Sequence, residues 1–293
     1  MKKSLLLLLS LGIVVVSCKK KTTDDDKDNN TDNTPKACDM VITSAMGPKI
    51  GDLFTFGVDK SFNDTNLFKK TGEDQTWDLA SLSSTAEDTF KFKSGSTDPL
   101  ASTIAGSMII STQGLDLIAV QSVSGITINA CQLPPIINNI SATPSFTDPA
   151  TFIPYPLEKN ATYSDTYSAS ATMPYDTVIA LLSITIDSVR ATLKGSNTFT
   201  VDGCGKVTTP TGTYDCLKYK VTPGALTEKY EARANGTWMD FTVMIKALPG
   251  FKTPELPLIN SKSYIWVSKD KKFPVCMVTL DASGNATSVQ YLK

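Results

Sequence analysis

The side chains able to do chemistry in this chain are six cysteines, 29 carboxylates and the lysines, and they work without a single histidine. That removes the usual general base, the commonest metal ligand and the middle member of a serine or cysteine triad. A cysteine nucleophile needs a base to hold it as thiolate, and none of Cys38, Cys131, Cys204, Cys216 and Cys276 has its usual partner. Two carboxylates suffice for glycoside cleavage, but no spacing marks a pair. Glu228 and Glu231 would share a face on a helix and point apart on a strand, while Glu73, Glu87, Glu158 and Glu255 sit singly among turn residues and read as solvated surface. Asp26, Asp28, Asn30 and Asp32 alternate like the first ligands of a calcium loop. The position for its turn glycine holds Thr31 and that for its bidentate glutamate Ala37, so the run reads as linker. The expectation is no catalytic residue, no metal site and no cofactor.

Cys18 stands in a different context. Lys2 and Lys3 are followed by an apolar run from Leu5 to Val16 and a small residue, Ser17, which together read as a secretory signal. The run is too short to span a bilayer, which takes about 20 residues. Val15-Val16-Ser17-Cys18 resembles a bacterial lipobox, in which the cysteine is diacylated through sulfur and becomes the acylated first residue of the mature chain. Residues 1–17 are thus the cleaved signal, 18–37 a lipidated cysteine and polar tether, and 38–293 the folded part. The tether, Lys19 to Ala37, has too little apolar surface to offset ordering entropy.

With Cys18 acylated, five cysteines remain in an oxidising compartment, so at least one stays free or pairs elsewhere. Cys204 and Cys216 are equidistant from Pro210. A three-residue loop sets them opposite each other, within the Cα separation of about 4.4–6.8 Å that a disulfide tolerates. A two-residue loop sends them to opposite faces unless a bulge at Gly203 or Gly205 restores the match. The Cys204–Cys216 bond is the expected one, with Cys38, Cys131 and Cys276 unassigned.

These residues must be positioned by strands. Thr and Ser are abundant, and Gly and Pro recur between short β-branched and aromatic runs. Strands are expected at Leu53–Val58, Asp88–Lys93, Ser107–Thr112, Leu115–Gln121 and Gly125–Ala130, with Trp77, Leu79 and Leu82 as core contacts after a turn at Gly72. Six prolines between Cys131 and Pro156 predict a long irregular crossover and the best internal boundary, dividing two subdomains. Ile184–Leu193 alternates as a half-buried strand that Asn197–Val201 extends or follows, and Gly203–Lys220 is a hairpin about Pro210 and Gly212. Thr237–Leu248 fits both periods and leans to helix. A meander of Ser263–Val267, Pro274–Leu280 and Thr287–Leu292 ends the chain.

Four segments resemble secreted and lipid-anchored proteins of the Bacteroidota. They are Gly72-Glu73-Asp74-Gln75-Thr76-Trp77-Asp78-Leu79 through Leu82; Pro156-Leu157 with Thr162, Tyr163 and Asp165; the hairpin with Gly203, Gly205, Thr209, Pro210, Gly212, Tyr214, Leu217, Lys218 and Lys220; and Tyr264, Trp266, Pro274, Val275 and Asp281 near the end. The resemblance implies a mostly β fold of antiparallel sheets, an open half-barrel or sandwich-like, with long loops and at most one or two short helices. Many soluble relatives carry a carboxyl-terminal sorting domain for type IX secretion; here the chain stops at Lys293 and the lipid on Cys18 is expected to take over retention. It further implies an uncharacterised outer-membrane lipoprotein, on either the periplasmic or the surface face.

Charge fits that location. Losing Lys2 and Lys3 takes the formal net from -1 to -3, and Arg190 and Arg233 are the only arginines, so nucleic acid is excluded as a partner. The expected partners are the membrane, through the lipid, and a hydrophobic ligand, a glycan or another envelope protein. A carboxylate-dependent hydrolase of glycans and a structural component of a surface complex are the alternative readings.

Overall fold

Period-two alternation of apolar side chains builds almost all of this molecule. The computed structural model describes residues 37–62, 64–131, 143–179, 184–247 and 259–293. Its strands are β1 (Leu53–Asp59), β2 (Gly72–Asp78), β3 (Ala86–Ser94), β4 (Ser107–Thr112), β5 (Leu115–Gln121), β6 (Gly125–Cys131), β7 (Ser145–Pro154), β8 (Thr162–Ile179), β9 (Ile184–Thr209), β10 (Gly212–Pro223), β11 (Thr227–Ala234), β12 (Thr237–Asp240), β13 (Ser263–Val267), β14 (Cys276–Leu280) and β15 (Ala286–Leu292). Two α-helices, α1 (Thr65–Phe68) and α2 (Thr242–Lys246), each make about one turn.

The sheet closes on itself, and the expectation of an open half-barrel or sandwich is corrected. Antiparallel pairing runs β9-β10-β13-β14-β15-β1-β3-β4-β5-β6-β7-β8 and returns to β9, a ring of 12 strands. Closure depends on the last strand: Phe56, Gly57, Val58 and Asp59 of β1 pair with Leu292, Tyr291, Gln290 and Val289. A meander read only locally ends at an open edge, whereas pairing it with the first strand removes both edges.

A 12-stranded ring leaves more room than its own strands fill. Here Phe273, carried on the loop between β13 and β14, stacks on Phe54 at 5.0 Å and meets Phe56, Phe90, Phe92 and Phe152 at 5.0 to 6.3 Å. The chain ahead of β1 joins this core: Met40 and Ile42 are buried, Ile42 pairs with Leu157, and the Ser44 carbonyl accepts from Gln121.

Outside the ring a second layer covers the sheet where it would otherwise expose aromatics. Phe68, Trp77, Leu79 and Leu82 are buried there, as expected for the last three, and Trp266 meets both Trp77 and Phe68 edge-on. β2 pairs parallel with β9, and its backbone comes so close that a Cβ on Gly205 would lie 2.0 Å from the Gln75 carbonyl oxygen. A Cβ on Gly203 would lie 3.1 Å from the Trp77 ring. At the seam Lys218 is wholly buried. Its ammonium donates to the Phe68 and Lys70 carbonyls at 3.0 and 2.6 Å, faces Asp202 at 3.1 Å and lies over the Tyr264 ring. Three of the four segments that carry the resemblance thus meet here, so those motifs specify packing.

β9 holds the molecule together. Its 26 residues span about 85 Å if straight. On one side it pairs with β8 and then β2, on the other with β11 and then β10. Asn197–Val201 therefore extends the strand that begins at Ile184, the first of the two alternatives expected. Beyond the ring, β8, β9, β11 and β12 form an arm whose inner face holds Ile186, Val189, Ala191, Tyr230 and Ala232 under Phe241 and Ile245. The segment 237–248 is accordingly a strand followed by a helix, because Phe241 must turn inward to close this small core; Leu248 lies outside the described residues.

Two further expectations are corrected. The proline-rich segment 131–156 contains β7, paired on both sides; its prolines are tolerated because the register slips between Phe146 and Asp148, and Pro154 ends the strand. Residues 132–142 lie outside the described residues. The hairpin has a two-residue loop, with Thr209 opposite Gly212. That register puts Cys216 opposite Gly205 and Cys204 opposite Leu217, so the sulfurs point to opposite faces and the Cys204–Cys216 bond does not form. Cys204 is bonded to Cys38 instead, at a Cα separation of 5.1 Å, and Cys131, Cys216 and Cys276 are free and buried.

Candidate functional site

The outer face of the arm carries an open groove of about 440 Å³. Alternation on three neighbouring strands creates it. Ser168 and Ser170 of β8, Arg190, Thr192 and Lys194 of β9, and Thr227, Lys229 and Glu231 of β11 share the face opposite the apolar one. Register aligns them in rows: Ser170, Thr192 and Lys229 in one, Ser168, Lys194 and Thr227 in the next, and Arg190 opposite Glu231 at the far end. Thr147 of β7 adds a hydroxyl beside Ser168.

Electrostatically the two ends differ. The Arg190 Nε and Nη2 atoms donate to Glu231 Oε2 at 2.9 and 2.7 Å, and Lys229 donates to Oε1 at 2.9 Å. The hydrogen bond from Lys229, then those from Arg190, hold the Glu231 carboxyl below its ordinary range against the cost of desolvation. Glu231 is therefore ionised and engaged at neutral pH, unsuited to donate a proton. The Arg190 guanidinium also lies over Trp238, 4.4 Å from the ring centroid. At the other end Lys194 is exposed and has no ion-pair partner among the described residues.

Inside the ring, Phe152, Phe199, Ile259 and Met277, with Asn197 and Gln290, enclose about 50 Å³. That is room for one or two waters, far below the roughly 300 Å³ at which small-molecule sites begin. Comparison of the chain with family models, with characterised proteins and with solved structures finds no match. The functional reading rests on the molecule itself.

Of the residues singled out from sequence, Glu231 alone among the described ones lines this groove. Cys18 and the acidic run Asp26–Asp32 lie outside the described residues, as does Glu255. Cys204 is in the disulfide to Cys38; burial pushes the Cys131 thiol up to about 12 and raises those of Cys216 and Cys276, so none is a thiolate at neutral pH. Glu228 and Glu231 point apart on β11, Glu228 toward Lys246 and Glu231 into the groove. Glu73 and Glu87 pair with Lys159 and Lys293. Of the groove residues only Glu231 is among those singled out from sequence, because each strand shows only every second member of the lining. The alternation Arg190, Thr192, Lys194 against Val189, Ala191, Leu193 was the available signal.

Proposed function

We propose that this is an outer-membrane lipoprotein of the Bacteroidota type, anchored through Cys18, that binds a glycan along the outer face of its arm. The groove carries the reading: an open trough walled by hydroxyl, guanidinium and ammonium groups on rigid strands suits a hydroxylated chain. The pocket between Phe152, Phe199, Ile259 and Met277 inside the ring, about 50 Å³, gives a hydrophobic ligand no comparable room. One ionised carboxylate without a second to face it favours binding over hydrolysis.

Two measurements test the two halves. Thr192 sits in the middle row, so Thr192→Trp should fill the trough and weaken polysaccharide binding by the full chain at least tenfold, as read by calorimetry, with the melting midpoint unchanged. Undiminished binding would remove the groove from the function. Cys18→Ala should leave a precursor that no longer partitions with outer membranes. Equal incorporation of radiolabelled palmitate into the wild type and Cys18→Ala would overturn the anchor.

A further inference from the structure

Resting on the glycan reading, we infer that the ligand is acidic, and that Lys194 marks the subsite for its anionic substituent, a carboxylate or a sulfate. The groove has two unlike ends. At one, Arg190, Lys229 and Glu231 satisfy one another, and Trp238 lies beneath the guanidinium. That end is internally paired and offers a sugar an already ordered polar surface. At the other, register surrounds Lys194 with the hydroxyls of Ser168 and Thr227, and Thr147 stands beside Ser168.

An ammonium among hydroxyl donors is complementary to an oxyanion, because the cation supplies charge and the hydroxyls supply further hydrogen bonds. The surrounding acids do not take this role from the ligand. Asp148, next to Ser168, accepts from Thr166, and Asp240, opposite Glu231 on β12, caps the Thr242 amide. The lining therefore holds three cations against one carboxylate, and Lys194 is the one of the three that makes no ion pair among the described residues. Lys194 is four residue steps along the strand from Arg190, about 13 Å, so an extended saccharide of more than one ring bridges the paired end and the charged one.

A galacturonan and its methyl ester share a backbone and differ in charge, which makes them the discriminating pair. The full chain should bind the free acid at least tenfold more tightly than the ester at low salt. Raising the ionic strength should weaken binding of the acid and leave the ester nearly unmoved, since exposed charges are screened. Lys194→Gln should cost the acid about fivefold and the ester nothing. Equal binding of acid and ester, with Thr192→Trp abolishing both, overturns the acidic specificity and leaves the groove reading standing. Equal losses for both forms in Lys194→Gln overturn the subsite. Comparable binding of polyglutamate or of anionic phospholipid vesicles would reduce the effect to bulk charge and overturn it as well. Binding of neither polysaccharide, nor of a wider panel of glycans, would remove the groove reading and this inference with it.

Discussion

Replacing Lys218 by methionine is expected to cost about 3 kcal/mol or more of folding stability, because it strands Asp202 and two main-chain carbonyls at the seam. The ammonium is wholly buried and satisfies the carbonyls of Phe68 and Lys70 while facing the carboxylate on the neighbouring strand. Methionine keeps the stem and removes every donor. For a domain of this size the melting midpoint should fall by roughly 6 to 12 °C. Pairing Lys218→Met with Asp202→Leu should recover much of the loss, since the uncompensated charge goes with its partner. A single-variant cost below about 1 kcal/mol would show that the seam does not depend on this contact.

The second large effect is expected at the disulfide. Cys38 and Cys204 are 166 residues apart, and in the chain-entropy model closing a loop of that length is worth on the order of 5 kcal/mol. Cys38→Ser should shift the urea midpoint of the full chain strongly downward, and adding reductant to the wild type should reproduce the shift. Cys216→Ser, a change at a buried free thiol, should lose only local packing and respond to reductant as the wild type does. Peptide mapping without reductant should recover residues 38 and 204 joined. Recovery of 204 joined to 216 would restore the symmetric hairpin and refute the two-residue loop.

Local order was legible and long-range pairing was not. Ser107–Thr112, Leu115–Gln121 and Ser263–Val267 have the bounds their alternation predicts, because turn residues mark both ends. The proline-rich stretch misled, since a strand that slips register can absorb prolines that a regular ladder cannot. The cysteine pairing turns on one residue of loop length, which inverts every facing side chain beyond it. Ring closure depends on β1 finding β15, more than 200 positions later, and no spacing in either strand records that. The groove failed for the same reason: Arg190 and Glu231 are 41 residues apart and become neighbours only when β9 meets β11.

The Cys38–Cys204 bond also fixes how the molecule bears mechanical load. Tension applied anywhere ahead of Cys38 reaches the sulfurs before it can peel Met40 and Ile42 from the core, and passes directly into β9. There it is shared with β10 and β2, whose ladders run along the direction of a pull on the strand and so resist as many bonds in shear rather than one at a time. A pull arriving through Cys38 thereby grips the molecule at its longest strand, and drag on the arm is relayed along that same strand to the disulfide.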